Sequence, residues 1–450
     1  MVDSAQQEIA ITSKSSSPTA MPSPTNLKVR RPAKCLEPVL RLMMTVSIDS
    51  GMFCAGLAFA MAGPTLIKLA EQLSVPFASA ASIFTFRGFG CLAGSMMSGE
   101  LVDRTGNPAA VMLAPIAAAA AGALAIPYLR SFWAACVMFT FQGLALGMLD
   151  AAGNVLILQI WRGSKFQNGH MHALHFFFGL GSALAPLFVS AWESSGLQAT
   201  SAWLVVAAAS IFPLLGFLFL ACISKYEDTS RYEEEEAQKA LASVVGSKAV
   251  LLSAIFLFVY MGAETSFGGL ISSYAQQWLH ANQTMSAWLA SVYWGALCLG
   301  RVVAALATSH IHHARYIFAH LVLAVFAASA LIPSAMVPKA DGYLVVLATG
   351  AFGLAIAPLY PGMILVAEEI LAAPLSGRAA SIILTSAAFG EMVLPAGIAW
   401  LFESTKASFV WVQLGLSCCT LVIFTIGSGR LLVTQTSVST STSEEGTAEP

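Results

Sequence analysis

Apolar positions dominate the chain and come in long runs. Segments of roughly 20 residues or more, the length that crosses hydrocarbon as a helix, lie at about 40–70, 79–102, 108–128, 132–161, 168–192, 201–223, 249–278, 286–308, 315–333, 343–370, 377–402 and 407–432. Short polar turns separate them, apart from one long break at 224–248 that holds the acidic run Glu233 to Glu236. The pattern predicts an all-α membrane protein with twelve transmembrane helices. It divides as a disordered cytosolic tail over 1–38, a six-helix half over 39–223, a cytosolic linker over 224–248, a second six-helix half over 249–432 and a disordered cytosolic tail over 433–450. The first tail is rich in Ser, Pro, Thr, Lys and Arg with no apolar core before a cleavage site, so it does not read as a signal peptide.

The two halves resemble each other. Gly143-Leu-Ala-Leu aligns without gaps to Gly353-Leu-Ala-Ile, which pairs Asp150 with Tyr360. Gly181 and Pro186 align to Gly390 and Pro395, and Gly88-x-x-Cys91-Leu92 to Gly295-x-x-Cys298-Leu299. The offsets of 210, 209 and 207 residues are nearly constant. A six-helix unit used twice is therefore expected, with any site between the two copies near the middle of the membrane.

Composition agrees with the pattern. With 57% hydrophobic and 10% charged residues, the 450-residue chain lacks the charged surface that a water-soluble protein of this size needs. The balance of 22 Lys+Arg against 24 Asp+Glu leaves no nucleic-acid footprint. The 8 cysteines are scattered without CxxC pairing and read as small buried hydrophobes. With the N-terminus inside, 16 Lys/Arg fall on the cytoplasmic side, 4 outside and 2, Arg87 and Arg301, within helices. This bias places both termini in the cytosol. The sequon Asn282-Gln283-Thr284 then lies outside.

A charge inside an apolar run is costly, so it marks a site by default. Counted at about 1.5 Å per residue from the nearest cytoplasmic basic residue, Asp49, Asp150, His175 and Glu391 lie roughly 12 to 20 Å deep, with Arg87 and Glu264 slightly further out. Groups at similar depth on six helices are tolerable only around a shared aqueous or mutually paired interior. For Asp49 and Asp150 the reading is cation coupling, by loading a proton or holding Na⁺. The alternative is a structural ion pair, most simply with Arg87. Asn154 shares a helical face with Asp150, and His172 shares one with His175. Together with Glu264, Trp294, Tyr360 and Glu391, these supply the amide, imidazole, carboxylate and aromatic groups that a polyol needs. Phe177, Tyr293 and Gln142 are further candidates, and packing or interhelical hydrogen bonding is the alternative for each. Glu264 lies in the glycine-rich run Gly262 to Gly269, which predicts a bend in the seventh helix. The alternative for Glu264 and Glu391 is neutralisation of Arg301 or Arg87.

Between the second and third segments stands Gly99-Glu-Leu-Val-Asp103-Arg104-Thr-Gly106. The expectation is that Gly99 and Gly106 let helices close up, Asp103 caps the next helix and Arg104 ties a cytoplasmic gate, with Arg301 and Arg87 as further structural residues. This loop resembles the signature of the major facilitator superfamily, although Asn107-Pro108 replaces the usual basic run and the second half has no Asp-Arg copy. Within it, Gly147-x-x-Asp150-x-x-Gly153-Asn154, His175-Phe-x-Phe-Gly179-x-Gly181, Gly262-x-Glu264-x-x-Phe267-Gly268, Trp294-x5-Gly300-Arg301, Tyr360-Pro361 and Gly390-Glu391-x3-Pro395 resemble the sodium-dependent glucose transporter and fucose permease branch. The resemblance, running from about residue 40 to 430, implies sugar uptake by alternating access, driven by H⁺ or Na⁺ through Asp49 and Asp150. Ala151 and Gly269 depart from that branch, where a hydroxyl residue and Trp are usual.

No cofactor is expected beyond the coupling ion, and the partners expected are a small molecule, most simply a sugar, and the lipid bilayer. A monomer in the plasma membrane is the working expectation. One alternative is transport of another metabolite or drug; the arginine and Gly-Pro pair that mark such exporters are missing, with Ala185-Pro186 in place of the pair. Another is a sensor or scaffold that does not transport. An enzyme is not expected: no Ser/His/Asp grouping stands out, and the HxxH of His172 and His175 lacks the Glu of a zinc protease motif.

Overall fold

A computed structural model of the chain describes residues 37–162, 164, 166–223, 248–307, 312–337, 342–371 and 377–444. The first tail and the acidic run at 233–236 lie outside the described residues. Twelve spans follow in order. The first half is built from α1 (Glu37–Leu73), α2 (Phe77–Thr105), α3 (Pro108–Ala125), α4 (Phe132–Ile160), α5 (Gln167–Ser194) and α6 (Trp203–Ile223). The second comprises α7 (Lys248–Gln277), α8 (Gln283–Ala307), α9 (His313–Ser329), α10 (Gly342–Ile356) with its continuation Leu359–Leu371, α11 (Gly377–Ser404) and α12 (Ser408–Glu444).

Eleven of these spans are long and apolar enough to cross a membrane. The twelfth, α2, has the length at 29 residues but carries Arg87, Glu100, Asp103 and Arg104. Two features differ from the sequence expectation. The seventh span is one unbroken helix, and its glycines serve close packing: a Cβ on Gly268 would meet the Trp294 ring at 2.2 Å, and one on Gly262 the Leu394 side chain at 2.1 Å. The break falls in the tenth span instead, at Ala357-Pro358. Pro358 and Pro361 have no N–H, so the carbonyls of Leu354 and Ala357 lose their helical donors there. The last helix also continues to Glu444, beyond residue 432.

The internal repeat is visible in the packing. A Cβ on Gly143 of α4 would lie 1.9 Å from the Arg87 carbonyl of α2, and one on Gly353 of α10 would lie 2.6 Å from the Tyr293 carbonyl of α8. Likewise Gly181 of α5 seats on the Phe53 carbonyl of α1 at 2.2 Å, and Gly390 of α11 on the Phe258 carbonyl of α7 at 1.9 Å. The aligned glycines therefore do the same work in both halves. Each lets two helix backbones touch, the close approach that drives association where lipid removes the hydrophobic term.

The halves meet along α1 with α7, α2 with α11 and α5 with α8. Their contacts lie from mid-depth to the face carrying the α1–α2 turn. There the Ala78 N–H donates to Glu403 at 3.2 Å, the Gln283 amide to the Pro64 carbonyl at 3.0 Å, and the Thr85 hydroxyl to the Met392 carbonyl at 2.7 Å. One apolar core joins both halves at this face, holding Leu66, Leu69, Phe77, Phe84, Phe267, Ile271 and Phe402. A second, with Met44, Ile48, Met112, Ile157 and Phe217, belongs to the first half alone. Among the described residues, the hydrogen bonds between the halves lie from mid-depth to the face of the α1–α2 turn.

Gly143→Ala is expected to destabilise by about 1–3 kcal/mol, because its methyl group has only backbone to push against. Thermal unfolding of the purified protein in detergent reads this as a lowered midpoint. Gly415→Ala, where a Cβ meets nothing within 4 Å, should leave the midpoint unchanged or raise it.

Candidate functional site

At mid-depth the charged side chains of the two halves converge. Arg87 of α2 is 2% exposed and reaches across to Glu391 of α11, Nη2 to Oε1 at 3.5 Å. Its other amine donates to the Phe59 carbonyl at 2.9 Å, and its guanidinium stacks 3.9 Å from the Phe59 ring centroid. Desolvating an arginine this fully is tolerable only with such partners. In the second half Arg301 of α8 donates to both oxygens of Glu264, at 3.2 and 3.4 Å. Glu264 is 4% exposed and also accepts the Tyr260 hydroxyl one turn earlier on α7. Tyr293 donates to the backbone carbonyl of Glu264 at 2.9 Å, which fixes α8 against α7.

Asp150 of α4 is half-buried, and neither arginine pairs with it among the described residues. The Asn154 amide donates to the Asp150 carbonyl at 2.6 Å and to its Oδ1 at 3.2 Å, so the expected shared face is real. His172 and His175 are both exposed on α5, which packs against α8 of the other half. Trp294 is 2% exposed and stands edge-on to Phe59 and Tyr293, and its indole N–H has no partner among the described residues.

Asp49 stands apart. It is 8% exposed, its Oδ1 has no hydrogen-bond partner, and none of the charges above pairs with it among the described residues. It sits at the α1–α4 contact, where Ile48 packs on Gly153 and Leu149 on Gly51. The ion pair between Arg87 and either aspartate is not formed, because Glu391 occupies Arg87. Glu264 and Glu391 are bound in ion pairs.

The start of α3 is capped by Asn107, whose Oδ1 accepts the Ala110 N–H at 3.1 Å ahead of Pro108. The side chain of Asp103 lies outside the described positions. Arg104 pairs with Glu100 on its own exposed helix face and ties no gate among the described residues, and a Cβ on Gly99 would meet nothing within 4 Å. Gly106 does carry the turn: at φ 58° it ends α2 by donating to the Val102 carbonyl at 2.8 Å. Sequence reasoning missed Tyr260, although its i,i+4 spacing to Glu264 was the available signal, and it missed Phe59, whose carbonyl and ring hold Arg87.

Arg87→Met is expected to cost about 3–5 kcal/mol by leaving Glu391 buried and uncompensated. Adding Glu391→Gln should recover a substantial part of that loss, measured as the unfolding midpoint in detergent. Additive losses in the double variant would show that the pair is not coupled.

A Major Facilitator Superfamily family model matches residues 48–395. Human sodium-dependent glucose transporter 1 is 26% identical over 430 residues, covering 83% of this chain and 78% of that protein. The zebrafish protein of the same name is 26% identical over 393 residues, covering 80% of this chain and 64% of its own length. Among solved structures, the nucleoside transporter NupG superposes with a TM-score of 0.69 at 14% identity, covering 86% of this chain and 99% of that one. The xylose transporter XylE from E. coli, in a partially occluded inward-open conformation, gives 0.64 at 12%, covering 85% and 98%. The fold, the repeated six-helix unit and the family match together show that this chain belongs to the Major Facilitator Superfamily, as a multi-pass membrane transporter.

Proposed function

We propose that this transporter moves a hexose or related sugar by alternating access, coupled to H⁺ or Na⁺ through Asp150 and Asp49. The observation that carries the reading is a charge imbalance. Glu391 and Glu264 are each matched by an arginine, Arg87 and Arg301, whereas Asp150, half-buried on α4, has no ion-pair partner among the described residues. An unmatched carboxylate at that depth is costly. A coupling cation supplies the matching charge, and its arrival with substrate lets the halves rock about the cluster. Asp49, buried with an unpartnered oxygen, is a second place where a proton relieves a desolvated carboxylate.

Sugar recognition is supported by hydrogen-bonding and aromatic groups. Asn154, His172 and His175 offer hydrogen bonds to hydroxyls, and the Trp294 indole N–H remains free to donate. Phe59, Phe178 and Trp294 form an aromatic set, with centroids 5.5 Å apart in both the Phe59–Phe178 and Phe59–Trp294 pairs. The relatives named as sodium-dependent glucose transporters point the same way. With the excess of Lys and Arg cytosolic, both termini lie in the cytosol. A monomer in the plasma membrane completes this reading.

Uptake of a panel of radiolabelled sugars and a nucleoside into proteoliposomes, under an imposed pH or Na⁺ gradient, tests it. A sugar should accumulate above equilibrium in the unmodified protein. Asp150→Asn should abolish accumulation while gradient-free exchange persists. If only the nucleoside moves, the sugar assignment falls; if Asp150→Asn still accumulates sugar, the coupling role of Asp150 falls.

A further inference from the structure

Behind the Glu264–Arg301 pair lies a cavity of about 10 Å³, the size that holds one water molecule or one small ion. It is lined by Tyr260 and Glu264 of α7, Phe352 and Ile356 of α10, and Ser417 and Thr420 of α12, with Ala263, Ala324 and Leu359 completing the wall. We propose that this cavity is a binding site for a monovalent metal cation, Na⁺ first.

The chemistry of the lining is one-sided. Ser417 donates its hydroxyl proton to the Gln413 carbonyl at 2.8 Å, and Thr420 donates its own to the Ser417 carbonyl at 2.8 Å. Both oxygens therefore have only lone pairs left to offer. Tyr260 has one proton but two acceptors in range, Glu264 Oε2 and the Ile356 carbonyl at 3.0 Å. When it serves Glu264, to which Arg301 already donates, the Ile356 carbonyl remains short of a donor. The site is thus a pocket of oxygen acceptors around a buried carboxylate. Ile356 is also the last residue of α10 before the break, so its carbonyl belongs to the partially negative end of a half-helix. Unwound carbonyls and half-helix C-termini are where transporters coordinate Na⁺.

Position gives the site a consequence. Arg301 is a quarter exposed, and its guanidinium holds Glu264. A cation beside Glu264 competes for that carboxylate and frees Arg301. This consequence rests on the coupled-symport reading, whereas binding itself can be measured without transport.

The test is equilibrium binding of radiolabelled ²²Na⁺ to the purified full-length protein in detergent, without sugar, against K⁺ and choline as competitors. Thermal unfolding in NaCl or choline chloride at equal ionic strength gives a second readout. Unmodified protein should bind and be stabilised by Na⁺ over choline. Ser417→Ala and Thr420→Val, which keep the packing but remove an oxygen, should lose both effects. Thr140→Val, which removes a similarly back-bonded hydroxyl on α4, should retain both. Because Glu264→Gln leaves Arg301 unpaired and may not fold, the α12 variants decide the matter. Absence of Na⁺ binding in the unmodified protein, or undiminished binding in both α12 variants, overturns the proposal. Proton-driven sugar uptake without Na⁺ binding would sink this site and leave coupled symport standing; Na⁺ binding without sugar movement would do the reverse.

Discussion

A charge carried into the middle of a membrane must meet an opposite charge or water, and the structure is arranged around that constraint. Arg87 can sit at 2% exposure only because Glu391, the Phe59 carbonyl and the Phe59 ring surround it. Arg301 and Glu264 solve the same problem within the second half. These pairs fix which helices face one another. The Arg87–Glu391 pair spans the two halves, so the charges that would be expensive alone become the hinge zone between them.

Close backbone contact makes the constraint workable. Glycines at equivalent places in α4 and α10, and in α5 and α11, let helices approach until carbonyls lie where a side chain would be. Tight pairs inside each half, α2 with α4 and α1 with α5, give each six-helix unit its own rigidity. Among the described residues the hydrogen bonds between halves lie from mid-depth to one face, and the exposed histidines of α5 lie toward the other. Two stiff bodies joined by a charged middle are what rocking motion requires.

Much of this was legible in the sequence. Apart from the end of the last helix, which runs on to Glu444, the apolar runs marked the spans to within a few residues because hydrocarbon thickness imposes their length. The 207 to 210-residue offsets exposed the repeat, and the glycines that defined it proved to be the packing contacts. Depth alone gathered Asp150, His175, Glu264, Glu391 and Arg87 at one level. It could not say which acid meets which arginine, because depth carries no rotation about the helix axis, and so Asp49 was grouped with Asp150 although it sits apart on α1. The glycine run of α7 looked like a hinge because flexibility and close approach use the same residue. The true break came from Pro358 and Pro361 acting together.

If a cation completes the charge of the interior and crosses with a neutral sugar, transport carries current. Currents recorded from proteoliposomes on a solid-supported membrane during a sugar concentration jump should show an inward movement of positive charge that requires the coupling cation and disappears in Asp150→Asn. Sugar uptake with no such current, at any imposed pH or Na⁺ gradient, would rule out coupled symport.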